Sequence, residues 1–513
     1  GTIAQLMAAP SSLDVPLAQT WPPQLDGTTA RIITRIVVHS DTPALIPLIS
    51  RQVLTQSNAD IIRVGLEALL PLTQRGDQVI AAIACDQLAH ADSMVRMAAY
   101  DLLRVTGCAD QLTVVGEGLG DPDPRVRQQA ARALAAYGRP GLALAKKQLS
   151  APRPEIVDTA ITVIGLVRTK YASNLLFDYL APSYKQLSQT RKWQQQIPTD
   201  APGWEPLKVA IVDYHERLIQ RVLYVLSALG YARTVNSVNR LLVTPNQHEL
   251  ENAIEVLASL NHRRFVLPLI PLFEERIANE PSRLQASPQW FRAKGYRLLL
   301  EALESKDRWI RTGALIALSR VPSVHINDPD PFVKQIASQI FGAIDPSTPP
   351  VNTAMNRLLL LKKVALFKNL SLDELLLIDK SLEQTQVLAG ETIFTEGEWE
   401  AHLYIIAEGT VQLVKAIDNV PRELNQLSQG QYFGEVALFD DAPRWDSAVA
   451  LEDCTLFKLE KNRFLSLVTQ RPHIILEICR FLTQRLRETD RHRSALAASV
   501  EKTESTNGNP LPS

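Results

Sequence analysis

The sequence predicts two architectures in series: an α-solenoid of stacked helical hairpins, then a smaller α+β unit, a β-roll of short strands with flanking helices. Three observations predict it. A turn-plus-helix pattern returns about every 30 residues through the first two thirds of the chain. The apolar spacing then changes, near residue 365, to short runs separated by glycine. The 513 residues are also too many for one core: at about 100–200 residues per domain, two to four units are expected, and stacked repeats escape that limit.

The repeat is clearest in Leu119–Leu134, where an Asp/Pro turn opens a helix, a basic residue follows, and small and apolar residues recur at helical spacing. The same shape returns at Asp60–Arg63, Asp92–Arg96, Pro154–Val157, Arg308–Arg311 and Asp328–Lys334. Pro at the first helical position forfeits no hydrogen bond, and an Asp before it caps the exposed N–H groups. Alanines such as Ala98, Ala99, Ala130 and Ala131 let neighbouring helices approach closely. One hairpin cannot bury its apolar side alone, so neighbours must stack. The pattern resembles HEAT or armadillo-type repeats over about residues 28–344. The recurring Arg63, Arg96, Arg127 and Arg311 are expected to pair with the acidic turn of the next repeat, the alternative being a basic ligand-binding groove. Ala181–Pro206, with Trp193, Trp204, a glutamine run and prolines, reads as a long exposed loop; its tryptophans either anchor a partner or fold back over the solenoid. Glu274–Gln289 reads as a lesser loop.

Asp345–Pro350 is rich in Pro and Ser and ends the solenoid. A connecting helix is expected over Asn356–Val364. Ser371 followed by Glu374 is a capping box, opening a helix expected to run to about Leu382. From Gln386 short strands alternate with Gly turns, at a spacing typical of a barrel or roll. A long closing helix is expected over Pro472–Arg493, with Ile474, Ile478 and Phe481 on its apolar face.

Within the roll, Gly430–Arg444 is the informative segment. Two strands flank a turn able to present backbone N–H groups convergently, as anion sites do. An Arg nine residues after an acid suits a ligand with both a phosphate and a sugar hydroxyl, since guanidinium binds phosphate oxygens bidentately and carboxylate accepts from the hydroxyl. The Phe433-Gly-Glu-Val-Ala-Leu438 and Pro443-Arg444 strings look like the phosphate-binding cassette of the cyclic-nucleotide-binding family, which includes bacterial catabolite activators, kinase regulatory subunits and gated channels. The leading Leu366-Phe367 helix, Ala389–Ile393, Leu403–Ile406 and the closing helix match in order, so the resemblance covers about 125 residues. It implies that Arg444 pairs with the cyclic phosphate of cAMP or cGMP and Glu435 with the ribose 2′-hydroxyl. Gly434 and Ala437 would admit backbone close to sugar and phosphate, with Val436 between them, and the closing helix would lie over the base.

The sequence departs from that pattern just after the Arg, at Trp445, Asp446 and Ser447. Trp445 is bulky where backbone is expected to meet phosphate. Asp446 adds negative charge: at about 5 Å and an effective dielectric near 20, like charges cost about 3 kcal/mol, roughly 100-fold in affinity. Ser447 offers a hydroxyl if the register shifts by one. Two readings therefore stand: a sensor, or a protein-interaction scaffold whose roll binds no nucleotide, with Arg444 satisfied by Asp440, Asp441 or Asp446.

Composition narrows the rest. Lys+Arg (54) nearly balances Asp+Glu (55), which gives no argument for nucleic acid. The four cysteines lack C-x-x-C spacing, as expected of a reducing compartment. No Walker loop, G-x-S-x-G, H-E-x-x-H or kinase set is present, which points away from an enzyme and from any cofactor. Arg480, Arg485, Arg487 and Arg491 read as a solvated helix face, and residues 494–513 as a disordered tail without room for a DNA-binding helix pair. The order of parts is similar to cytoplasmic portions of bacterial proteins that also carry a membrane transporter. Gly1 at the start fits a fragment of such a protein. The expected divisions are residues 1–27 as an N-terminal segment, 28–344 as solenoid, 345–364 as linker and connecting helix, 365–493 as the cyclic-nucleotide-binding-like domain, and the tail. A cytoplasmic location at the inner face of a membrane is expected, with a transporter or another protein as partner.

Overall fold

The computed structural model describes residues 53–54, 58–198, 202–243, 247–278, 294–318, 329–341, 354–417, 420–483 and 485–486. The expected N-terminal segment, the Pro-rich linker at 345–350, the hairpin tip at 418–419 and the tail lie outside them. The chain forms two compact units: residues up to Lys185 with Ile219–Ile277, and Gln186–Leu218 with the residues from Ala278 onward.

In the first unit the repeat helices fall where the recurring turn-plus-helix pattern places them, at Ala59–Leu69, Ser93–Thr106, Pro124–Ala136 and Pro154–Leu166. Asp92 and Asp123 cap their helices by accepting backbone N–H groups. Ala99, Ala130, Ala131 and Ala160 are fully buried, which is the close approach their size allows. The arginines do more than expected. Arg96 does bind Asp121 of the next repeat (2.8 Å). The shared contact, however, is local: Arg96, Arg127 and Arg311 each donate to the carbonyls five and six residues back, satisfying the turn that precedes their own helix. A guanidinium one turn into a helix reaches those carbonyls, and in Arg96 it spans both them and the neighbouring repeat. Arg63 pairs within its own helix, with Asp60 and Glu67.

The expected loop at Ala181–Pro206 is instead mostly helix. Lys170–Gln196 is one 27-residue helix with Pro182 inside it. Trp193 and Trp204 are buried, and Trp193 Nε1 donates to Glu301 (3.3 Å). Proline and glutamine suggested a loop, but Leu187, Trp193 and Ile197 are buried and give the segment an apolar side. Of Glu274–Gln289, the part up to Ala278 belongs to helix Ile270–Ala278, and the rest lies outside the described residues.

The second unit contains helices Tyr296–Leu303, Arg308–Leu318 and Pro331–Phe341, the connecting helix Ala354–Lys363, and then the roll. Ser371 and Glu374 form the predicted capping box of helix Leu372–Asp379, which ends three residues early because strand β1 already begins at Leu382. The strands are β1 (Leu382–Val387), β2 (Thr392–Phe394), β3 (His402–Glu408), β4 (Val411–Ile417), β5 (Val420–Leu427), β6 (Tyr432–Phe433), β7 (Ser447–Ala450) and β8 (Cys454–Glu460). They make two four-stranded antiparallel sheets, ordered β1-β8-β3-β6 and β2-β7-β4-β5. Phe394, Tyr404, Ile406, Val411, Phe433 and Leu456 fill the space between them. Helix Lys461–Gln470 follows, and residues 472–483 are helical, with Ile474 and Ile478 fully buried.

Helix Leu372–Asp379 is fastened to the repeat helices of the same unit through buried charge. Asp213 is 1% exposed; its carboxylate accepts from Leu372 N (2.8 Å) and from Arg217 Nε (2.7 Å). Arg217 also reaches Asp307 (2.7 Å), while Asp373 accepts from Arg308 and from Trp309 Nε1 (3.1 Å).

Candidate ligand-binding site

Strand β6 ends at Phe433, the chain turns at Gly434 (φ 74°), and the four-residue helical turn Val436–Phe439 follows. The return segment is pinned at Arg444, whose backbone N donates to Glu398 O (2.8 Å) and whose carbonyl accepts from Gly397 N (2.7 Å). That ladder aims the Arg444 side chain inward, where only 4% of it is exposed. Its Nη1 donates to Gly434 O (3.1 Å), and its Nη2 to His402 O (2.7 Å) and Glu400 Oε2 (3.2 Å). Its Cζ sits 4.0 Å from the centre of the Phe394 ring, a cation–π contact. The Nε–H is buried with no partner among the described residues.

Glu400 does not balance this site alone. It also accepts from Tyr404 OH and lies 3.8 Å from Lys458 Nζ. The carboxylates of Asp446 and Glu398 act on Arg444 as well, so the two cations do not stand against Glu400 alone.

Gly434 is required by that geometry. Its left-handed backbone suits glycine, and a Cβ there would collide with the Arg444 guanidinium and stand 3.0 Å from His402 O. Gly434→Ala is expected to cost about 2 kcal/mol or more, from backbone strain and the displaced guanidinium. Urea unfolding checks this, and an unchanged midpoint would contradict it.

Beside this turn lies an open hollow of about 980 Å³. Gly434, Glu435, Val436, Ala437, Arg444 and Trp445 all line it, so six of the seven sequence candidates converge. Ser447 does not; it opens β7, and its hydroxyl accepts from Glu396 N (2.9 Å). Trp445 stands at the rim, 57% exposed, with Lys415 Nζ 4.6 Å from its ring centre, so it does not fill the hollow. Asp446 lines the hollow too but is only 5% exposed. Burial pushes its carboxyl up from the ordinary aspartate value, against the pull of Arg444, and Glu435 adds to the rise. Phe481 and Arg485, from the closing helical segment, complete the wall, and Arg485 lies 3.7 Å from Glu435. Of the expected solvated basic face, Arg485 is therefore engaged at the site, and Arg487 and Arg491 lie outside the described residues.

The internal partner of Arg444 is the functional residue that sequence reasoning missed. Asp441 is taken by Lys461 (2.6 Å), and the acid bound to Arg444 is Glu400, 44 residues earlier. No spacing rule connects two residues brought together by strand pairing. Among the described residues no group of three metal-ligating side chains occurs, and no helix is long and apolar enough to cross a membrane.

Comparison with known proteins agrees with this geometry. Residues 384–471 match the family model of the cyclic nucleotide-binding domain, and residues 81–165 match that of HEAT repeats. The cyclic AMP receptor protein of Thermus thermophilus is 33% identical over 131 residues, covering 25% of this chain and 61% of that protein. A cAMP-dependent protein kinase regulatory subunit of Eremothecium gossypii is 36% identical over 99 residues, 19% of this chain and 21% of the relative. Lysophospholipase NTE1 of Phaeosphaeria nodorum, an enzyme, is 32% identical over 111 residues, 21% of this chain and only 7% of the relative. Each alignment thus spans less than two thirds of its relative's length. The chain joins HEAT repeats to a domain of the cyclic nucleotide-binding family.

Proposed function

We propose that this chain is a non-catalytic regulatory module that takes up a cyclic nucleotide, cAMP or cGMP, beside Arg444 and passes the event to its helical repeats and a protein partner. The observation that carries the reading is the convergence of Arg444 and Glu435 on one hollow closed by Phe481 and Arg485. The phosphate belongs beside the Arg444 guanidinium, whose Nε–H has no partner among the described residues, and the ribose hydroxyl at Glu435, which would exchange its long contact with Arg485 for it. Trp445 at the rim offers a π-face to the base. The family relatives named for cAMP support the ligand class.

A route outward is continuous within the second unit. His473, at the start of the closing segment, hydrogen-bonds Glu374 (2.8 Å). Glu374 accepts from Ser371 N, and the next N–H, Leu372, is bound by Asp213 on the repeat helix Glu205–Leu226. A ligand that re-packs the closing segment therefore pulls on the repeats, by as much as its affinity differs between the two arrangements. The partner receiving that motion is proposed to be a membrane transporter, on the order of parts alone.

One observation favours a second reading, a docking scaffold that binds no nucleotide: Arg444 already has three acceptors. Thermal melting with cAMP, cGMP and AMP separates the two. A sensor is expected to gain several degrees with a cyclic nucleotide and to lose that gain in Arg444→Ala. Melting unmoved by all three nucleotides would leave the scaffold.

A further inference from the structure

The first unit has a hollow of its own, of about 680 Å³, where the start of helix Lys170–Gln196 meets the turns at Gly230 and His262. Three cations line it, Arg168, Lys170 and Arg264, and among the described lining residues there is no Asp or Glu. Arg264 is held by neutral groups. Its Nη1 donates to Asn174 Oδ1 (2.9 Å) and its Nη2 to the Oγ of Ser173 (2.7 Å), a residue only 5% exposed. Its Cζ also lies 4.9 Å and 5.2 Å from the ring centres of Phe177 and Phe265. Those contacts fix the guanidinium without cancelling its charge. Arg168 has φ 51°, the one left-handed backbone among the described non-glycine residues. Burial, and then the charge of Arg264, hold the His262 imidazole below its usual value, as a positive field does. The opening N–H groups of the helix add partial positive charge at the same place.

We infer that this hollow binds a phosphate group, carried by a small soluble molecule or by a lipid headgroup. A cluster of cations with no carboxylate among the lining residues favours a dianion over a singly charged carboxylate, because each additional charge pair adds Coulomb attraction. Serine and asparagine side chains beside a fixed guanidinium suit the several acceptor oxygens of a phosphate. None of these residues belongs to the roll, so the inference stands or falls independently of cyclic nucleotide binding.

The test uses the whole chain and the double variant Arg168→Gly/Lys170→Ala. Glycine accepts the left-handed backbone, so the variant should fold, which far-UV circular dichroism checks. Calorimetric titration with inorganic pyrophosphate at low salt is expected to show one saturable site, weakened at least tenfold in the variant. Co-sedimentation with phosphatidylcholine vesicles, with and without phosphatidate, reads the second source; phosphatidate-dependent binding lost in the variant assigns the phosphate to a headgroup. If neither probe binds, or if the double variant binds both as well as the parent, the inference is overturned.

Discussion

Arg444→Ala is expected to destabilise the roll by about 3 kcal/mol, the scale for removing one partner of a buried, hydrogen-bonded ion pair. Three things are lost together: the charge opposite Glu400, the donors to the Gly434 and His402 carbonyls, and the cation over Phe394. Glu400 is 17% exposed, so it is left with Tyr404 OH, His402 and the longer contact to Lys458 in a site water enters poorly. A double-mutant cycle isolates the pair. Glu400→Gln in the Arg444→Ala background should restore part of the loss, because a neutral amide needs no counter-charge. Urea unfolding of the four proteins measures it. Strictly additive effects would show that Glu400 and Arg444 do not interact.

Asp213→Ala is the second large effect, about 3–5 kcal/mol. Asp213 is a nearly inaccessible carboxylate that serves Arg217 and Leu372 N at once. Removing it leaves a buried backbone donor unpaired and gives Arg217 one carboxylate, Asp307, instead of two. The same change cuts the link between helix Leu372–Asp379 and helix Glu205–Leu226, so limited proteolysis should release the roll from the repeats more readily in this variant. A variant that unfolds and digests as the parent does would remove Asp213 from the proposed route.

What the sequence revealed and what it hid divide along a physical line. The roll was legible because its turns demand glycine: Gly390, Gly397, Gly409, Gly430 and Gly434 all have positive φ, and each breaks an apolar run. The capping box at Ser371 and the Asp caps were legible for the same reason, since they act within a few residues. Glu400 and Asp213 were not, because their partners lie 44 and 159 residues away and meet them only through tertiary packing. The segment around Trp193 was misjudged because proline and glutamine weigh against helix locally, whereas burial of two tryptophans weighs more. Trp445 and Asp446 marked the departure from the family pattern, yet in the bend just before strand β7 they have opposite fates, one exposed at the rim and one buried beside the arginine, which only the folded chain decides.

Calorimetric titration of cAMP and of cGMP into this chain and into Asp446→Asn bears most directly on the pocket. One cyclic nucleotide is expected to bind at a single site, and to bind about 10- to 100-fold tighter once the carboxyl beside Arg444 is made neutral. Folded protein that gives no saturable heat with either nucleotide, in the parent and in Asp446→Asn alike, would contradict the sensor.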